Sequence, residues 1–121
     1  MNILVCDDDK EIVEAISIYL EQEGYTIFRA YDGYEALDIA NSKDIQLMLI
    51  DIMMPNLDGI HAVLELRKKS NIPVIILSAK SEDTDKIMGL TIGADDYITK
   101  PFNPLELVAR VKSQLRRYSK L

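Results

Sequence analysis

The 121 residues predict a doubly wound α/β domain, five parallel strands with five helices packed on both faces, a class in which 2-1-3-4-5 is one of the common strand orders. Three observations carry this. Strand-length apolar runs alternate along the whole chain with amphipathic, capped stretches at helical spacing. The central run, Leu47-Met48-Leu49-Ile50 before Asp51, is apolar on both faces, as in a parallel strand covered by helices. The links are short, which calls for right-handed crossovers. No repeat, linker or low-complexity segment interrupts the pattern, so residues 1–121 read as one domain, long enough to bury a core without staples.

Taken in order, Asn2 to Cys6 is a buried strand that breaks into Asp7-Asp8-Asp9. Asp9 caps a helix whose Ile12, Ala15, Ile16, Tyr19 and Leu20 fall at helical spacing, and Gly24 stops it. Tyr25 to Ala30 is the second strand. Asp32 with Glu35 three places on opens a helix carrying Ala36, Leu37 and Ala40. The central strand ends in Asp51, before a loop stiffened by Pro55 and closed by Asp58-Gly59. Asp58 caps a third helix with Ile60, Val63, Leu64 and Arg67 on its inner side and His61 exposed, without a role. Ile72 to Leu77 is a fourth strand ending in Ser78, with Pro73 tolerated at its start. Ser81 to Thr91 is a weaker helix stopped by Gly93, and Tyr97 to Thr99 is a fifth strand ending in Lys100-Pro101. Asn103, Pro104 and Glu106 supply the cap, first-turn proline and third-position acid of a last helix running to about Arg117.

Composition narrows the function. A net charge of -6 and a pI near 4.7 argue against a polyanion partner, although the last turns are locally basic. No leader stands at Met1, and no apolar run approaches the roughly 20 residues that span a bilayer, so a cytoplasmic protein without a membrane partner is expected. One Cys (Cys6) and one His (His61) cannot form a disulfide or a Cys/His zinc site. Any metal must be held by oxygen.

The residues that close the strands are Asp7 and Asp8 after the first, Asp51 after the third, Ser78 after the fourth and Lys100 after the fifth. In the order 2-1-3-4-5 the first and third strands adjoin at the switch point, where ligands collect, so the three carboxylates converge. Two bare charges about 4 Å apart cost roughly 4 kcal/mol at an effective dielectric near 20, so the cluster demands a cation or a raised pKa. Hard carboxylate oxygens favour Mg2+, which takes one or two carboxylates plus a phosphoryl oxygen. Lys100 and Ser78 supply a charge and a hydroxyl for the remaining phosphoryl oxygens. Asp51 is then a carboxylate nucleophile able to become an aspartyl phosphate. Singly, each residue has an ordinary reading as a cap, turn former or solvated lysine; their joint placement at strand ends favours chemistry.

From LVCDDD through LIDIMMPNLDG and VIILSAK to GADDYITKPF, the chain resembles the receiver domain of two-component response regulators, a fold of the flavodoxin-like, CheY-like kind. The resemblance implies Asp51 as phosphoacceptor, Asp7 and Asp8 as the acidic pair, and Asp8, with the Met53 carbonyl, as metal ligands. It implies Ser78 as switch hydroxyl, Tyr97 as switch aromatic, and Lys100 as phosphate contact before a cis Lys100-Pro101 bond. It further implies a sensor histidine kinase as phosphoryl donor, and a protein that catalyses only its own phosphorylation and dephosphorylation. Met53 and Lys80 flank the path of the hydrolytic water in such domains.

GADDYITKPF and the last helix resemble the OmpR/PhoB-like subfamily, whose members carry a winged-helix DNA-binding domain after the receiver. DNA is therefore expected to be engaged only through a C-terminal domain that these residues do not include. The resemblance implies a phosphorylation-driven homodimer through the fourth helix, fifth strand and fifth helix. Ile87, Leu90 and Val108 would form its apolar patch, with Lys86 pairing Glu106 and Asp96 pairing Arg110 across a two-fold axis. Glu106 and Arg110, four apart, also satisfy each other within one helix. Leu105, Leu107, Ala109 and Val111 make the last helix's apolar arc wider than a core needs. Thr91 stands where many relatives carry an acidic residue facing Lys112. Two other classes compete: a haloacid dehalogenase-like phosphatase, for which Asp7-x-Asp9 imitates the motif but the chain is too short, and a degenerate receiver, which requires a missing pocket residue.

Overall fold

A computed structural model of the chain describes residues 1–79 and 93–119. The elements are β1 (Asn2–Cys6), α1 (Lys10–Gln22), β2 (Thr26–Ala30), α2 (Gly33–Ser42), β3 (Leu47–Asp51), α3 (Gly59–Arg67), β4 (Val74–Ala79), β5 (Asp96–Lys100) and a C-terminal helix (Pro104–Ser119). The helix expected over Ser81–Thr91 lies outside the described residues. The sheet is parallel throughout, in the order β2-β1-β3-β4-β5.

Alternation of side chains along each strand divides the core in two. Leu4, Met48, Ile50 and Ile76 face α2 and α3, meeting Ala36, Ala62, Val63 and Leu66. Ile3, Val5, Leu47, Leu49, Ile75 and Leu77 face α1 and the C-terminal helix, meeting Val13, Ile16, Leu20, Leu107 and Val111. Because β3 is covered on both faces, all five of its residues are buried, Asp51 included. Each such Leu or Ile withdraws about 1.5–3 kcal/mol worth of apolar side chain from water, so β3 is a stiff base for the carboxylate at its end.

Local signals set the helix starts. The Asp9 carboxylate accepts the Glu11 and Ile12 amides, Asp32 accepts Glu35, Asp58 accepts His61, and Asn103 accepts Leu105 and Glu106. Two glycines are required by close approach: a Cβ on Gly59 would strike the Asp51 carbonyl, and one on Gly33 would strike the Leu57 carbonyl.

Several elements depart from expectation. The deepest face of α1 is Val13, Ile16, Ser17 and Leu20, with Ile12 and Tyr19 at its margin. Ser17 is tolerated there because its hydroxyl donates to the Val13 carbonyl at 2.6 Å. On α3, Leu64 is exposed rather than inward, and Ala62 and Leu66 fill the inner face with Val63. The close fit of Gly59 against β3 sets that helix's rotation. β4 begins after Pro73 and runs through Ser78 to Ala79, so Ser78 lies inside the strand. β5 gains a residue at each end, and the C-terminal helix continues to Ser119. No described helix is long and apolar enough to cross a membrane.

Candidate functional site

Strand register assembles the site. Cys6 lies beside Ile50, Asp51 beside Leu77, and Ala79 beside Lys100, so the carboxyl ends of β1, β3, β4 and β5 come to one edge. Asp7 follows β1 and is fully buried, Asp51 is 4% exposed, and Asp8 is open to solvent. One carboxylate oxygen from each of the three lies within 4.8 Å of the others. Lys100 reaches across the sheet edge to place its Nζ 3.1 Å from Asp7 Oδ2 and 3.4 Å from Asp51 Oδ1. The Lys100-Pro101 bond is cis, as the resemblance implied.

The electrostatics follow from that crowding. Burial and the neighbouring Asp7 carboxylate push the Asp51 carboxyl up to about 6, against the pull of Lys100 and the Met53 amide. Burial also raises Asp7, against the Asp9 amide and the Lys100 ammonium. Burial alone would lower Lys100, but Asp51 and Asp7 together hold it above its ordinary value. Among the described residues one ammonium thus serves two buried carboxylates, and their side chains leave the site with an excess of negative charge.

Ser78 is fully buried, and its Oγ has no hydrogen-bond partner among the described residues. An orphaned buried hydroxyl costs about 1–3 kcal/mol, a penalty that a ligand oxygen would remove. It sits one residue past Leu77, the register partner of Asp51. The donor set suits a hard divalent cation: three carboxylates, no nitrogen or sulfur ligand, and a charge excess that a cation would neutralise. Asp7, Asp8 and Asp51 would hold it, with the Met53 carbonyl following Asp51 in the loop. Cys6 is close by but inert: its thiol is buried among carboxylates, which pushes its pKa far up, and donates to the Asp32 carbonyl at 3.2 Å.

The other residues singled out by sequence fall as follows. Tyr97 is half-buried, packed at the edge of the core cluster under α2 and α3, two residues before Thr99, the register partner of Ser78. Asp96 and Arg110 form an ion pair within the chain at 2.8 Å, and Arg110 also lies 3.5 Å from Glu106 on its own helix. Val108 is half-buried against the α1-side core, whereas Leu105 is 82% exposed. Lys112 pairs with Glu23 at 2.6 Å. Lys80, Lys86, Ile87, Leu90 and Thr91 lie outside the described residues.

Two contacts escaped the sequence. Arg67, expected only as an inward residue, donates to the Gly93 and Ile72 carbonyls and to Asp95, tying α3 to the approaches of β4 and β5. Asn56 has a φ of 67° and donates to the Asp32 carboxylate at 3.2 Å, joining the loop after Asp51 to the start of α2. The one available signal was an Asn after Pro in a turn, which tolerates that backbone.

Comparison with known proteins agrees with this arrangement. Residues 3–112 match the model of the response regulator receiver domain. The chain is 51% identical over 118 residues to the regulatory protein VanR of Enterococcus faecium, covering 98% of this chain and 51% of that one. It is 53% identical over 115 residues to the response regulator GtcR of Aneurinibacillus migulanus, covering 95% and 48%. The chain therefore spans about half the length of these curated relatives. Among solved structures, the Francisella response regulator 1452 receiver domain superposes with a TM-score of 0.89 at 46% identity, covering 96% of this chain and 97% of that one. A CheY-like receiver domain protein from Methanospirillum hungatei gives 0.92 at 29% identity, with 98% and 96% covered. With the acidic cluster, the lysine and the hydroxyl at one sheet edge, and a family match over most of its length, this chain belongs to the response regulator receiver-domain family.

Proposed function

We propose that Asp51 accepts a phosphoryl group from a sensor histidine kinase in an Mg2+-dependent reaction, and that the modified domain signals through its β5 and C-terminal helix surface. Membership of the receiver family carries the coarser statement, phosphorylation-dependent signalling in a two-component system. The observation that supports the finer one is the convergence of Asp51 with Asp7, Asp8 and Lys100, beside a buried Ser78 hydroxyl that has no partner among the described residues.

An Asp51 Oδ would form the new bond to phosphorus as the donor's P–N bond breaks, the donor imidazole taking a proton from solvent. Bound Mg2+ would supply charge neutralisation for the incoming phosphoryl oxygens and the carboxylates around them. Asp7 and Asp8 place carboxylate oxygens where the cation would sit. Lys100, already between Asp7 and Asp51, turns its ammonium to a phosphoryl oxygen, which offsets the new negative charge. Ser78 donates its hydroxyl, which no described residue engages, to another. Its inward movement leaves space into which the Tyr97 ring turns, and that coupling links the pocket to the surface.

The relatives' greater length supports a C-terminal transcription output domain through which DNA would be engaged, with the receiver's own dimerisation as the trigger. Such a role places the protein in the cytoplasm. Beryllofluoride, a stable mimic of the phosphoryl group, tests the reading by amide NMR. Ser78, Tyr97 and Lys100 should shift only when Mg2+ is also present, and Asp51→Asn should not respond. In Ser78→Ala the mimic should still bind while the Tyr97 shift is largely lost. A full response without Mg2+, or in Asp51→Asn, would contradict the assignment.

A further inference from the structure

The loop between β3 and α3 carries the Met53 carbonyl, and only its base is fixed by the sheet: the Ile52 amide donates to Leu77 and the Gly59 amide to Ile52, each at 3.2 Å. Residues 53–58 project beyond that closure. On the far side they meet a different element, the first turn of α2. The Gly33 amide donates to the Leu57 carbonyl at 3.1 Å, and the Asn56 amide donates to Asp32 Oδ2 at 3.2 Å. The fit is tight enough that Gly33 has no room for a Cβ beside Leu57.

Asp32 is central to this contact. Its Oδ1 caps α2 through the Glu35 amide at 2.9 Å, its Oδ2 takes Asn56, and its carbonyl takes the Cys6 thiol at 3.2 Å. Cys6 immediately precedes Asp7, and its thiol lies 3.6 Å from the Met54 sulfur, the residue after Met53. One residue therefore ties together the strand end that carries the acidic pair, the helix start, and the loop that follows Asp51. Asn56 holds its side of the contact from a left-handed backbone, φ 67°, that most side chains resist.

We infer that the Asp32–Asn56 hydrogen bond, with the Gly33–Leu57 contact beneath it, is a latch that positions the Met53 carbonyl for the cation, making both residues positioning residues for phosphotransfer. The inference rests on the proposed Mg2+ site. Neither residue touches the cation or phosphorus; they restrict where the loop can place its backbone oxygen. A metal site whose ligand must be ordered at the moment of binding loses affinity by the fraction of time the ligand is elsewhere. Because the loop stays fixed at its base, removing the latch should weaken Mg2+ without abolishing it or unfolding the domain.

The test separates this claim from the one beneath it. Asn56→Gly keeps the left-handed backbone and deletes the amide; Asn56→Asp keeps the backbone and sets a carboxylate against Asp32. Mg2+ affinity would be measured by calorimetry, and latch closure by hydrogen exchange at the Gly33 amide in metal-free protein. The latch predicts faster Gly33 exchange and a Kd for Mg2+ weakened about three- to tenfold, more in Asn56→Asp than in Asn56→Gly. Combining Asn56→Asp with Asp32→Asn exchanges donor and acceptor while retaining an oxygen for the α2 cap, and should restore both readouts. Wild-type affinity in Asn56→Asp, or no recovery in the exchanged pair, would overturn the latch and leave the Mg2+ site standing. Failure of the wild type itself to bind Mg2+ would overturn the site and the latch with it.

Discussion

Asp51 carries a charge that the fold disfavours until a cation or phosphoryl group joins it. Its carboxyl is pushed from 3.8 to about 6, so the folded state binds that proton more tightly than the unfolded chain does. Stability from this group is full below about pH 4 and is lost as pH rises through 6. In chelator, Asp51→Asn should therefore be more stable than wild type at about pH 7, by up to about 3 kcal/mol, the pull of Lys100 being already contained in that shift. The gap should close near pH 4, and Mg2+ should stabilise only the wild type. Urea unfolding across that range checks this; equal stability of the two at neutral pH would contradict it. Met53 makes a separate prediction. Its side chain is 67% exposed and directly follows the site, with no carboxylate or amide to orient water. The acyl phosphate should persist for minutes to hours, and Met53→Asn combined with Lys80→Glu should shorten it, as followed by loss of phosphate from intact protein. An unchanged half-life would reject this steering.

At the scale of elements, Arg67 closes the end of α3. Its guanidinium satisfies the Gly93 and Ile72 carbonyls and pairs with Asp95, whose carboxylate in turn holds the Val74 amide at the start of β4. Arg67→Ala should cost about 2–3 kcal/mol in urea unfolding, and Arg67→Lys should recover only part, since an ammonium cannot reproduce the planar fork. A loss below half a kcal/mol, roughly what an ordinary surface change costs, would show the clamp is ornamental. Contacts such as these were not legible in the sequence, whereas the strands and caps were. Asp9, Asp32, Asp58 and Asn103 act on amides two or three residues away, so their patterns are local; Arg67 and Asn56 reach 26 and 24 residues along the chain. The rotation of α3, which turned Leu64 outward, was hidden for the same reason: it depends on Gly59 meeting the Asp51 carbonyl. The pocket was legible because strand order sets the ends of β1, β3 and β4 side by side and leaves β5 one strand further out, within reach of a lysine side chain. The exposure of Asp8 beside two buried carboxylates was not, being a consequence of packing.

At the scale of the whole molecule, the proposed dimer must contend with bonds already formed inside one chain. Arg110 is held by Asp96 at 2.8 Å and lies near Glu106, so a symmetric pairing exchanges intramolecular partners for the same partners on a second copy. Little energy follows from that exchange, and the drive must come from apolar area. Dimerisation should accordingly be weak without the phosphoryl mimic and should appear with Mg2+ and beryllofluoride at tens of micromolar in light scattering. Arg110→Glu, placed against Asp96 in either arrangement, should abolish it; equal dimerisation by that variant would exclude this face. The proposed phosphotransfer rests on one carboxylate. Intact-mass spectrometry after incubation with acetyl phosphate tests it most directly: wild type with Mg2+ should gain a single phosphoryl group, while wild type in chelator and Asp51→Asn with Mg2+ should gain none. Uptake of one phosphoryl group by Asp51→Asn at the wild-type rate would contradict it.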